Sequence, residues 1–106
     1  MDNLLIHFEN LDWEIPPERI RYKTFIKGKQ QIRLLEFFEG YEEKKWCTKG
    51  HMGYVLEGKF TLHFKTNKYQ LKAGDIIRVP EGEEFAHRPI LEEGENARVL
   101  LFELLT

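Results

Sequence analysis

One thiol and two imidazoles are the side chains best suited to chemistry in this sequence. Cys47 and His51 stand four residues apart in "KKWCTKGHMGYVLEG", and His87 follows 36 residues after His51. A thiolate with two imidazoles suits zinc and other thiophilic divalent metals. Three protein ligands with a fourth position open is the arrangement of catalytic rather than structural zinc. Spacing alone is weak evidence for such a site. A cysteine that binds nothing is a small buried hydrophobe, and His51 opens a strand, where a hydrogen bond to a neighbour would also explain it. Lys45 is a poor metal ligand, because an ammonium has no lone pair and driving off its proton by burial is costly.

The elements that must position these residues read as short strands. Residues 31–39 are rich in β-formers, and 52–58, 59–65, 68–74, 75–82 and 97–105 follow, most of them bounded by Gly, Asn, Pro or Asp. Short strands at close spacing argue for an all-β sandwich or barrel. Phe60, Leu62 and Phe64 alternate with Thr61, His63 and Lys65, which gives that strand one apolar face. Residues 65–68 suit a hairpin turn and Gly74 a second break. Ahead of them, 15–25 suggest a short turn after Pro17, and 27–31 a loop into the first long strand. The acidic run 91–97 reads as a solvated loop.

The bulk numbers restrict the functional classes. A chain of 106 residues with 42% hydrophobic and 32% charged residues fits one domain, 1–106. A formal net charge of −2 gives no electrostatic case for nucleic acid or an anionic membrane. The single cysteine excludes an internal disulfide framework and favours a reducing compartment; no signal or spanning segment is read in the chain, so a cytoplasmic location is expected.

"YVLEGKFTLHF" followed by "LKAGDIIRVPEG" resembles the cupins, small double-stranded β-helix (jelly-roll) barrels. Gly74, Pro80 and Gly82 fit the family's second motif, and Gly58 anchors the end of the first. In that frame the positions that usually carry metal ligands fall on Lys45, Cys47, His51 and Phe85. None holds the customary residue, and His87 lies two beyond Phe85. If Phe85 points inward, strand alternation brings His87 in with it. The resemblance implies a jelly-roll core of about 31–106 with an N-terminal extension, 1–30, that pairs with a partner subunit in a homodimer. It also implies a cavity holding a small organic ligand. Lys45, Lys49 and Arg88 near its mouth favour an anionic one, and Trp46, Tyr54, Phe85 and Phe102 are available as aromatic walls. Trp46, flanked by Lys45 and Cys47, should itself point outward.

Three readings follow. The barrel is a small-molecule-binding module whose metal positions have decayed, with Lys45, Cys47, His51, Tyr54, Phe85 and His87 around the ligand. Alternatively it is an isomerase-, dioxygenase- or decarboxylase-type enzyme using zinc, nickel, manganese or iron on Cys47, His51 and His87. A metal-free variant would use Cys47 as a nucleophile or redox thiol beside His51. The third reading is a structural or regulatory partner protein.

Overall fold

The computed structural model describes residues 4–105. The first three residues of the expected extension, and Thr106, lie outside them. Seven strands form the fold of the described residues: β1 (Ile20–Lys27), β2 (Gln30–Phe37), β3 (His51–Phe64), β4 (Lys68–Lys72), β5 (Ile76–Val79), β6 (His87–Ile90) and β7 (Ala97–Leu104). The helical content of the described residues is two single 3-10 turns, Phe8–Asn10 and Glu83–Phe85. Among the described residues no helix is long and apolar enough to cross a membrane.

All pairings are antiparallel, and they build two sheets that share β3. One runs β1-β2-β7-β3-β5, and in the other β4 and β6 flank the second half of β3. This is the expected all-β jelly roll. The sequence suggested two strands at 52–58 and 59–65, whereas the chain makes one, redirected at Gly58. Gly58 has φ +81°, and a Cβ there would collide with the carbonyl of Asn96. The register against β7 slips between Val55 and Glu57. Such bulges raise local twist, and here the bend lets one strand pass from the first sheet to the second.

Two expectations at the N-terminal end are corrected. Residues 15–25 bend at 17–19, where the short turn was expected, but a strand follows at once: β1 begins at Ile20 and pairs along its length with β2, ahead of residue 31 where the core was expected to open. The 27–31 loop is a tight hairpin in which Gly28, φ +59°, and Lys29 join paired Lys27 and Gln30. Alternation in "IRYKTFIK" outweighs the local turn signal of the preceding prolines, because β1 gains a full ladder. The segment before β1 folds back on its own chain. Lys23 donates to the Phe8 carbonyl at 2.7 Å, and the Trp13 ring packs against Arg21 and Lys23. Strand β6 had no counterpart in the sequence reading. It is short and contains Pro89, which a strand tolerates only where no ladder donor is needed.

The core lies between the sheets. Val55, Val99 and Leu91 are almost wholly buried, with Phe37, Tyr41, Phe60, Leu62 and Val79 around them. Phe60 and Leu62 take the inward positions their alternation indicated. Residues 91–97 form a connection, but its ends, Leu91 and Ala97, are core residues, and Glu95 is buried where it accepts the Glu92 amide.

Candidate metal centre

The barrel encloses an open cavity of about 730 Å³. Its walls follow from strand alternation. Inward positions are Ile20 and Tyr22 on β1; Gln31, Arg33, Leu35 and Phe37 on β2; and Val99, Leu101 and Glu103 on β7. At one side Cys47, His51 and His87 converge, with one ligand atom of each within 4.8 Å of the others.

Local structure explains how three separate segments meet. Cys47 and His87 form an isolated antiparallel bridge, exchanging both backbone hydrogen bonds at 2.8 and 3.0 Å. His51 is the first residue of β3, placed by pairing with Val79. Sγ of Cys47 lies 3.4 Å from Nε2 of His51, and the two imidazole rings meet edge to face with centroids 5.1 Å apart.

Each imidazole is held from behind. Nδ1 of His87 donates to the Phe85 carbonyl at 2.9 Å, which leaves Nε2 as that ring's lone-pair nitrogen. Burial lowers the His87 pKa, the Phe85 carbonyl opposes this, and the neighbouring His51 lowers it further. The net direction keeps the ring neutral near pH 7, the form that ligates metal. Nδ1 of His51 lies 3.0 Å from Oε2 of Glu103, a close contact off the line of a good hydrogen bond. Glu103 is itself buried, and Gln31 donates to its other oxygen at 2.8 Å. Contact with His51 lowers the Glu103 pKa, burial opposes this, and Gln31 adds to the lowering, so the group is a carboxylate.

Tetrahedral zinc with bonds of about 2.0–2.3 Å sets its nitrogen and sulfur donors roughly 3.3–3.6 Å apart. The Cys47–His51 separation is already in that range, and the third donor lies within a modest side-chain rotation. The donor set, its neutral His87 and its carboxylate-backed His51 therefore fit a divalent metal.

Other expected site residues are placed differently. Lys45 lines the cavity mouth as an exposed cation, as does Lys49. Tyr54 does not line the cavity. With His51 inward, Gly53 and Val55 also face in, and Tyr54 is turned to the outer face, 42% exposed. Phe85 belongs to the 3-10 turn before β6, so strand alternation does not relate it to His87. It packs against the core and is not a cavity wall. Phe102 faces outward. Trp46 sits at the rim, 37% exposed, with Arg88 4.7 Å from its ring centroid, which removes Arg88 from the cavity wall. Glu103, Gln31 and Arg33 were missed. Their signal was alternation: each is a polar residue on the inward register of an otherwise apolar strand, in "VLLFEL" and "QIRLLEF".

Comparison with known proteins agrees with this architecture. Residues 47–103 match the cupin domain family. No curated protein sequence matches the chain. Among solved structures, the polyketide cyclase RemF from Streptomyces resistomycificus superposes with a TM-score of 0.82 at 18% identity, over 96% of this chain and 79% of that one. An RmlC-like cupin from Shewanella frigidimarina gives 0.80 at 15% identity, over 97% and 91%. A cupin-superfamily sugar phosphate isomerase from Silicibacter pomeroyi gives 0.75 at 13% identity, over 96% and 76%. At these identities the likeness concerns the fold. With a match across more than half its length, and with the jelly roll and central cavity seen directly, the chain belongs to the cupin family.

Proposed function

We propose that the protein is a metal-dependent cupin, with one divalent ion held by Cys47, His51 and His87 and a small organic molecule bound beside it in the cavity. The observation that carries this reading is the convergence of the three donors, with His87 held by the Phe85 carbonyl and His51 beside the Glu103 carboxylate, on a cavity large enough for a small molecule. A bound divalent ion would supply Lewis acidity or an acidified water. Around it, Glu103 orients His51, the Phe85 carbonyl fixes the tautomer of His87, and Leu35, Phe60, Leu62 and Val99 keep that part of the cavity apolar. The polyketide cyclase and the sugar phosphate isomerase act on small organic molecules, which agrees with an enzyme. Zinc suits the thiolate best, with nickel, iron and manganese following. A reducing, cytoplasmic setting would keep the Cys47 thiol available.

Elemental analysis of tag-free protein tests the centre. The expected result is close to one divalent ion per chain, lost in Cys47→Ala, His51→Ala and His87→Ala while circular dichroism stays unchanged. Wild-type protein that takes up no zinc, nickel, manganese or iron on reconstitution would overturn the reading.

The 3.4 Å contact between Cys47 and His51 favours one second reading, a thiol nucleophile or redox thiol paired with His51. Alkylation by iodoacetamide separates the two. Protection of Cys47 by stoichiometric zinc supports the metal centre, and rapid labelling despite zinc supports the thiol.

A further inference from the structure

Four arginines of this chain have side-chain partners among the described residues: Arg21 and Arg98 share Glu36, and Arg19 and Arg88 donate to backbone carbonyls. Arg78, exposed on β5, and Arg33 have none among the described residues, and of the two Arg33 is the one that faces the cavity. It lies on β2, half-buried, between Gln31 and Leu35, with its guanidinium 4.6 Å from the centroid of Tyr22. No carboxylate among the described residues is within ion-pair distance of it. A guanidinium whose face is held by an aromatic ring has its hydrogen-bonding edge fixed in place, and that planar fork matches a carboxylate.

The register locates this group relative to the metal centre. Gln31 is opposite Glu103, and Arg33 is opposite Leu101. Arg33 is thus one inward step along β2 from the Gln31–Glu103 pair that backs His51, a distance of about 7 Å. A small acid can span it.

We propose that Arg33 binds the carboxylate of the ligand, and that the ligand is a small organic monocarboxylate whose opposite end faces Cys47, His51 and His87. This rests on the reading of those three residues as a metal centre. The balance of the walls favours a single negative charge over a phosphate dianion. Four acidic side chains (Glu18, Glu42, Glu43 and Glu103) and four basic ones (Arg33, Lys44, Lys45 and Lys49) line the cavity, and its inner wall is apolar. Lys44, Lys45 and Lys49 stand exposed at the mouth, so on the inward faces of the described strands Arg33 is the one cation; one carboxylate matches it, whereas a dianion held there would leave a charge uncompensated beside Glu103.

Calorimetry with 4-oxopentanoate, whose ketone lies at the end opposite its carboxylate, its uncharged amide and inorganic phosphate tests the assignment. The proteins are wild type, Arg33→Met and Arg33→Lys, each with and without zinc, with metal content measured on the same samples. The oxo acid is expected to bind wild type, at least about tenfold more weakly to Arg33→Met, and with partial recovery in Arg33→Lys. The amide should not distinguish the variants. Failure of the oxo acid to bind wild type, equal binding to Arg33→Met, or tighter binding of phosphate would overturn the proposal. A wild type without metal would instead overturn the metal centre, and the zinc-free titrations would still judge Arg33. One ion per chain in Arg33→Met, with no change in oxo acid affinity, would leave the centre standing and remove Arg33 from binding.

Discussion

In the proposed centre Glu103 would stand behind one of the three donors without being one of them. Buried and held by Gln31, its carboxylate lies 3.0 Å from Nδ1 of His51, where a small rotation of the ring would let it support that imidazole as a metal ligand. Glu103→Gln should weaken metal affinity by about 10–100-fold, read by competition against a chelator, while one ion still binds at saturation. Unchanged affinity would reduce Glu103 to a packing role. Cys47 and His51 were legible in the sequence through the glycine and proline frame of the two motifs. Glu103 was not, because a single carboxylate near a chain end looks like a solvated one until the strand's register is known. Tyr54 failed for the same reason. Its aromatic type suggested a wall, but parity with His51 decided its face.

The first sheet holds its outer surface together with an ion pair that spans three strands. Glu36 on β2 lies between Arg21 on β1, at 2.6 Å, and Arg98 on β7, whose Nε is at 2.8 Å. Burial raises the Glu36 pKa, but the hydrogen bonds and charges of Arg98 and Arg21 outweigh it and hold the carboxyl below 4.5. A carboxyl whose folded pKa is depressed contributes stability above its unfolded pKa, and that contribution is lost as pH falls through the folded value. Glu36→Gln should therefore cost about 1–3 kcal/mol at pH 7, lowering Tm by roughly 4–8 °C for each kcal/mol. The deficit relative to wild type should shrink below about pH 4.5. Thermal melts across pH 3–7 read both effects, and a gap that does not vary with pH would assign the loss to packing. Five strands were readable because their alternation is clean. β1 was hidden by a Pro-Pro turn signal, and β6 by its brevity and its proline.

At the scale of the whole molecule, the first sheet leaves an apolar outer face. Ile32, Phe102 and Met52 are register neighbours across β2, β7 and β3, and Leu34, Leu100, Tyr54 and Ile76 form a parallel row. Met52, Tyr54, Ile76 and Phe102 are each more than 40% exposed. Apolar surface of this kind is where a protein contact would form, and it is the place to test the homodimer that the family resemblance implies. The contact differs from the one expected in the sequence, where the N-terminal segment was to pair with a partner. Here residues 8–14 lie against their own β1. Sedimentation should give a dimer for wild type and a monomer for a Met52→Glu, Phe102→Glu double variant that retains metal. A monomeric wild type at micromolar concentration would rule this interface out.

The bridge between Cys47 and His87 has a consequence for what substitution does to such a centre. Two of its three donors are tied together by main-chain hydrogen bonds, which do not depend on what either side chain is. The position of a donor is thereby separated from its identity. A substitution at either residue alters the chemistry offered to an ion while the scaffold keeps both attachment points in place. A change of side chain at either position should therefore alter what is offered to an ion more than where it is offered from.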